Sequence, residues 1–174
     1  GRPALRAVRE RVLPTGSMHL VFRLSPDPLR VFEALDSPLG QTLGHALIGG
    51  ARASCYIRDV SAPSRSVGAM LRPGAALPLF GVSAAAFSGQ HTRLDDVWGR
   101  AADAARERLL ELETPERQLD YFESLLVARL PRVRGCTRRS RRRSGSSGRT
   151  RVCASWWPRA VRAIGASSPC SRKR

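Results

Sequence analysis

Hydrophobic periodicity changes once along this chain, and that change limits the folds open to it. Residues 17–24 alternate, with Met18, Leu20, Phe22 and Leu24 on one face and His19, Val21 and Arg23 on the other. A period of two predicts a half-buried strand. Residues 29–35 predict its hairpin partner. Residues 42–50, 53–60 and 64–71 predict further strands, punctuated by Ser25-Pro26-Asp27-Pro28, Gly49-Gly50 and Arg72-Pro73-Gly74. Residues 75–80 and 83–87 suit short helical turns. Leu94, Val97, Trp98, Ala101, Ala105, Leu109 and Leu112 then recur at steps of three and four, as one stripe of a long helix. Thr92-x-x-Asp95 reads as its capping box, with Asp in place of Glu. Thr114-Pro115-Glu116 starts a second helix, with Thr as N-cap and Pro at the first helical position. Leu119, Phe122, Leu126 and Leu130 line one face of it, and Pro131 ends it. Strands first and helices after predict an α+β fold: a small β-barrel or meander followed by an antiparallel helix pair.

Charge divides the chain a second way. Net charge is +16, yet residues 1–135 hold 18 basic and 14 acidic residues, and residues 136–174 hold 12 basic and none acidic. Lys173 is the only Lys among the 30 basic residues. Such Arg, Ala, Gly and Pro usage fits a GC-rich bacterial gene, which weakens any nucleic-acid argument from net charge alone. Residues 136–174 form an Arg/Ser-rich tail with no helical or strand period. They read as a disordered basic arm or as a GC-rich segment translated out of frame. The run Arg138-Arg139-Ser140-Arg141-Arg142-Arg143 would give weak, salt-sensitive phosphate binding without sequence readout. The domain expectation is therefore a globular unit over 1–135 and a tail over 136–174.

Residues 74–87 are the longest near-apolar stretch, broken by Pro78 and Ser83. That is short of the roughly 20 residues a membrane-spanning helix needs, so no membrane partner is expected. The N-terminus carries no secretory pattern. Cys55, Cys136, Cys153 and Cys170 include no Cys-x-x-Cys pair, which leaves a reduced, cytoplasmic protein as the expectation. Cys55 falls in an expected strand and reads as a buried small apolar residue.

No catalytic constellation is evident. His19, His45 and His91 lack metal-ligand spacing, Ser17 sits in no nucleophile elbow, and Gly49-Gly50 matches no phosphate loop. Asp95 and Asp96 suit a helix N-terminus rather than an acid–base pair. Neither enzyme activity, a metal nor a cofactor is expected. Trp98 reads as a core anchor.

Four blocks then stand in order. Val12-Leu13-Pro14-Thr15-Gly16-Ser17-Met18-His19-Leu20-Val21-Phe22 resembles the opening of the sensor domain found N-terminal in many AraC-type bacterial transcription regulators. The family's two Asp residues stand here as Thr15 and His19. Gly68-Ala69-Met70-Leu71-Arg72-Pro73-Gly74-Ala75-Ala76, Leu94-Asp95-Asp96-Val97-Trp98-Gly99 and the helix of residues 117–130 resemble the blocks that follow it. The resemblance covers residues 11–132.

The resemblance implies a cupin-like small β-barrel with trailing helices. It implies an effector-sensing or dimerisation role, with DNA read by a helix-turn-helix domain not present in this chain. The expected function is the sensing and dimerisation half of an AraC-type regulator, with an unknown small effector and a possible homodimer as partners. Met18, Leu20 and Phe22 are candidate ligand-cavity residues. Trp98, Ala105, Leu109, Leu119, Phe122 and Leu126 are candidate dimer-interface residues. The alternative is a stand-alone small-ligand-binding or cupin-type protein whose basic tail binds nucleic acid non-specifically.

Overall fold

The structure, a computed structural model, describes residues 8–130 and the strand Val161–Ile164. In chain order the strands are β1 (Arg9–Val12), β2 (Met18–Arg23), β3 (Leu29–Phe32), β4 (Gln41–Gly44), β5 (Ala46–Gly49), β6 (Tyr56–Asp59), β7 (Ser66–Leu71), β8 (His91–Arg93) and β9 (Val161–Ile164). The helices are α1 (Ala76–Phe80), α2 (Asp95–Trp98), α3 (Arg100–Glu111) and α4 (Pro115–Arg129), with a 3-10 turn at Ala84–Phe87. The α+β class follows the change of period.

The strands form two antiparallel sheets. One has the order β1-β6-β3-β4 and the other β8-β5-β2-β7-β9. The alternation in β2 decides how they stack. Leu20 and Phe22 are fully buried on the face that packs against the helices, beside Ile48, Val67, Ala69 and Leu71. Val21 and Leu47 point the other way and meet Leu29, Val31 and Leu43 of the smaller sheet. The result is three layers: small sheet, large sheet, helices.

The helix layer closes the main core. Phe122 and Leu126 of α4 and Leu109 of α3 are fully buried in it. The indole of Trp98 donates to the Leu79 carbonyl (3.2 Å), and the Arg129 guanidinium lies 3.8 Å from its ring centroid. Thr114 caps α4 by accepting from the Arg117 amide, with Pro115 at the first position, as its sequence predicts. Arg106 of α3 donates to the carbonyls of Arg23 and Ser25 and so fastens the helices to the end of β2.

Several expectations are corrected. The segment after β2 does form a strand, but β3 pairs with β4 and β6, while β2 pairs with β5 and β7. The strand expected over 42–50 is two strands in different sheets. The chain leaves the small sheet at Gly44, whose φ of +85° suits glycine, and enters the large sheet at Ala46. Likewise the long helix is broken at Gly99 (φ +57°, ψ −143°), which separates α2 from α3. That break shifts the helical phase, so Ala102 is buried and Ala101 exposed.

The capping box also fails, because Thr92 lies in β8 and α2 has no side-chain cap; Asp95 pairs instead with Arg93 (2.5 Å). Cys55 precedes β6 and is exposed. Strands β1 and β8 were not anticipated; both are short and neither alternates cleanly. In the stretch expected to lack structure, Val161–Ile164 pairs antiparallel with β7. The remaining residues of 136–174, including the Arg run and three cysteines, lie outside those described.

Candidate functional site

Between the two sheets, at one end, four side chains meet: His19, Arg52, Tyr56 and His91. The strand register places the histidines. His19 on β2 pairs with Gly49 on β5, and Gly49 pairs with His91 on β8. The two histidines thus flank one glycine across three neighbouring strands. Strands two apart are separated by about 9.5 Å, yet the imidazole centroids are 6.2 Å apart in an edge-on arrangement. Gly49 permits this, because a Cβ there would overlap the His19 ring. Gly50 has a related role: a Cβ would overlap the Phe87 carbonyl, and the Gly50 amide donates to the Gln90 carbonyl (2.9 Å), which extends the β5–β8 pairing.

Tyr56 opens β6 in the opposite sheet, and its ring stands edge-on to His91 with centroids 4.6 Å apart. Arg52 comes from the loop between β5 and β6. Its guanidinium lies 5.0 Å from the Tyr56 centroid. Nη2 donates to the Gly89 carbonyl (2.6 Å), and Nη1 lies 3.2 Å from Nδ1 of His91.

Arginine has donors only, so Nδ1 of His91 accepts from it. A neutral His91 therefore carries its hydrogen on Nε2; this tautomer is assigned from the hydrogen bond. Burial, then the positive charges of Arg52 and His19, push the His91 pKa down to about 4. Burial and Arg52 also lower that of His19, and burial raises that of Tyr56. Near neutral pH the cluster holds one full positive charge, on Arg52.

Two of its donors have no partner among the described residues. Arg52 Nε and His91 Nε2 are buried and unbonded. An open cleft of about 360 Å³ lies between the edge strands β4 and β8. Gln41, Thr42, Phe87, Gln90 and Arg93 contribute to its walls, and His91 is the member of the cluster that lines it. Among the described residues no group of three His, Cys, Asp or Glu side chains could hold a metal ion.

The residues singled out from sequence lie elsewhere. Met18, Leu20 and Phe22 are buried against the helices in the main core and do not line the cleft. Their alternation is correct, but the polar site uses the opposite face of the same strand, through His19. Of the candidate interface residues, Trp98, Ala105, Leu109, Phe122 and Leu126 are buried within the chain, and Leu119 is half-buried against the same core. The helical stripe faces its own sheet. His45 is held apart from the other histidines by Nε2, which lies 2.8 Å from the Pro26 carbonyl. Arg52 and Tyr56 were missed. A Gly-Gly pair inside an apolar strand, with an Arg two residues on, is the signal that could have drawn attention to them.

Residues 2–93, just over half of the chain, match the family described as a domain of unknown function, DUF6597. The chain belongs to this family. The DUF6597 match ends at Arg93, the last residue of β8. It takes in strands β1 to β8 and all four residues of the polar cluster, and it leaves out α2, α3 and α4. No curated protein and no solved structure matches the chain. Among the described residues no helix is long and apolar enough to cross a membrane.

Proposed function

We propose that residues 11–132 are the effector-sensing half of an AraC-type transcription regulator, a non-catalytic domain that binds a small molecule between its sheets. The observation that carries this reading is the open cleft of about 360 Å³ between β4 and β8, lined by Gln41, Thr42, Gln90 and His91 among others.

The four blocks that resemble the AraC-type sensor support it. Each occupies a distinct place in the fold. The first covers the turn before β2 and most of that strand. The second covers most of β7, the turn after it and the start of α1. The third is α2 with the Gly99 break, and the fourth is most of α4. A cupin-like description of the two facing sheets belongs to this same reading. Self-association, expected of the class, would use surfaces other than the buried stripes of α3 and α4. DNA would be read by a separate helix-turn-helix domain, whose recognition helix needs an ordered scaffold to enter the major groove.

The test is to sequence the gene across codons 130–174 and beyond and to translate all three frames. The reading predicts a frame that opens into two helix-turn-helix units after Arg134. Absence of such a pattern from every frame contradicts it.

A further inference from the structure

We propose that the outer edge of β7 is a docking edge for a second copy of this chain, occupied by β9 in the monomer, and that two copies join there, β7 against β7, once β9 is displaced. This edge is distinct from the cleft, and its chemistry does not depend on the sensor reading.

The hydrogen-bond ladder shows which groups face outward. The Leu24 amide donates to the Arg65 carbonyl (2.8 Å) just before β7. The register runs on from that pair through Phe22–Val67 and Leu20–Ala69 to Met18–Leu71. Hydrogen-bonded pairs alternate along an antiparallel ladder, so Val67, Ala69 and Leu71 direct their backbone groups to β2. Gly68 and Met70 turn theirs to the opposite side. β9 meets them there, with Ile164 opposite Gly68 and Arg162 opposite Met70. Without β9, β7 would be the last strand of its sheet.

β7 is unlike the strands at the other edges. β1 (Arg-Glu-Arg-Val) and β8 (His-Thr-Arg) carry charge, β4 (Gln-Thr-Leu-Gly) is half polar, and each has four residues or fewer. β7 has six, Ser-Val-Gly-Ala-Met-Leu, with no charge and no proline. A long uncharged edge strand pairs with another chain unless something covers it. β9 is that cover. As part of the same chain, it meets the edge at an effective concentration above that of any second copy at micromolar protein.

The sequence of β7 also fits itself. In a two-fold antiparallel pair centred on Ala69, Ala69 faces Ala69, and Met70 of each copy falls opposite Gly68 of the other. A long side chain thus stands opposite a residue with none. Gly68 and Met70 also form the hydrogen-bonded pairs, so the outward amides and carbonyls of both copies are satisfied at once. β9 presents the same centre, with Ala163 opposite Ala69. Such a contact is self-complementary, as a two-fold dimer requires. Strands β8, β5, β2 and β7 of each copy would then run on as one continuous sheet.

The experiment is sedimentation velocity of the full chain and of full-chain variants over a range of concentrations. Arg162→Pro removes the β9 amide that faces Met70. Ile164→Pro does the same opposite Gly68 and serves as a second version of that change. Met70→Pro also unseats β9, but it blunts the β7 edge itself, because proline is tolerated where the strand amide faces outward. The parent is expected to be monomeric, Arg162→Pro to dimerise at least about tenfold more tightly than the parent, and Met70→Pro to remain monomeric. A melt of each variant checks that it folds. Should Met70→Pro not fold, hydrogen exchange on Arg162→Pro decides: the Gly68 and Met70 amides should gain protection as concentration rises. Arg162→Pro and Ile164→Pro chains that stay monomeric at about 100 µM, above the micromolar Kd at the weak end of specific interfaces, overturn the proposal. So does a parent that dimerises as tightly as Arg162→Pro, a folded Met70→Pro chain that dimerises as Arg162→Pro does, or exchange at Gly68 and Met70 that ignores concentration.

Discussion

Arg52 donates from Nη1 to Nδ1 of His91 across 3.2 Å, although 39 residues separate them in the chain. This one bond fixes which imidazole nitrogen carries a hydrogen. It also keeps a cation beside a histidine that burial already discourages from charging.

The pair makes stability depend on pH. The pKa of His91 lies at about 4 in the folded chain, below the ordinary value of 6.5. The unfolded chain therefore binds the proton more readily, and stability falls as pH drops from about 6.5 to about 4. His19 shifts in the same direction and adds to the effect. Urea unfolding followed at pH 7 and at pH 4.5 checks this. His91→Gln, which cannot charge, should lose part of that slope. An identical slope in the variant would show that His91 is not its source.

Glycines at two positions should fail for different reasons. At Gly49 an added methyl meets the His19 ring, so Gly49→Ala is an overpacking change that should cost about 1–3 kcal/mol. It should also drive the two imidazoles apart, visible as loss of the contact between His19 and His91 ring protons. At Gly99 nothing lies within 4 Å of the added carbon, but the backbone sits at φ +57°. Gly99→Ala should cost about 1–3 kcal/mol from strain alone, with the polar cluster unchanged. Equal stability of either variant and the parent in urea would refute the corresponding account.

Gln118 holds the two long helices together. It is 1 % exposed, and its Nε2 donates to the carbonyls of Leu109 (3.1 Å) and Leu112 (2.8 Å) at the end of α3. Gln118→Met keeps the volume and leaves both carbonyls unpaired, at an expected cost of about 1–3 kcal/mol. The Oε1 atom has no partner among the described residues, and its removal offsets part of that loss. Gln118→Glu should be worse, because it sets a carboxylate against two carbonyl oxygens. Denaturant midpoints that rank Glu above Met would reverse this expectation.

Phe122 joins the helix layer to the sheet, with its ring edge-on to Phe22 at 6.0 Å and no exposure to solvent. Phe122→Ala should cost about 3–5 kcal/mol. An alanine variant within 1 kcal/mol of the parent, a small shift for a core truncation, would mean that α4 is not packed on the sheet.

Local chemistry made much of the fold legible. The alternation of β2, the N-cap of α4 and the apolar faces of α3 and α4 all follow from period and capping, which act over a few residues. What lay beyond reach depends on pairing between distant segments. Nothing near His19 indicates that Gly49 stands beside it, or that His91 stands beyond Gly49, because register is set by the whole sheet. The breaks at Gly44 and Gly99 were hidden for a related reason. A glycine inside an apolar pattern is compatible with continuing the element or ending it, and tertiary packing selects between the two. The candidate ligand residues Met18, Leu20 and Phe22 lie on the helix-facing side of β2, in the main core. Period two identifies two faces without saying which one meets a second sheet.

The most direct test of the account of the polar cluster is a nitrogen-15 spectrum of the histidine side chains in the full chain, recorded as a function of pH. The account predicts that neutral His91 carries its hydrogen on Nε2, because Arg52 donates to Nδ1, and that the ring takes up a second proton with a midpoint at about 4. A neutral ring with its hydrogen on Nδ1, or a His91 midpoint at the ordinary value of 6.5, would contradict it.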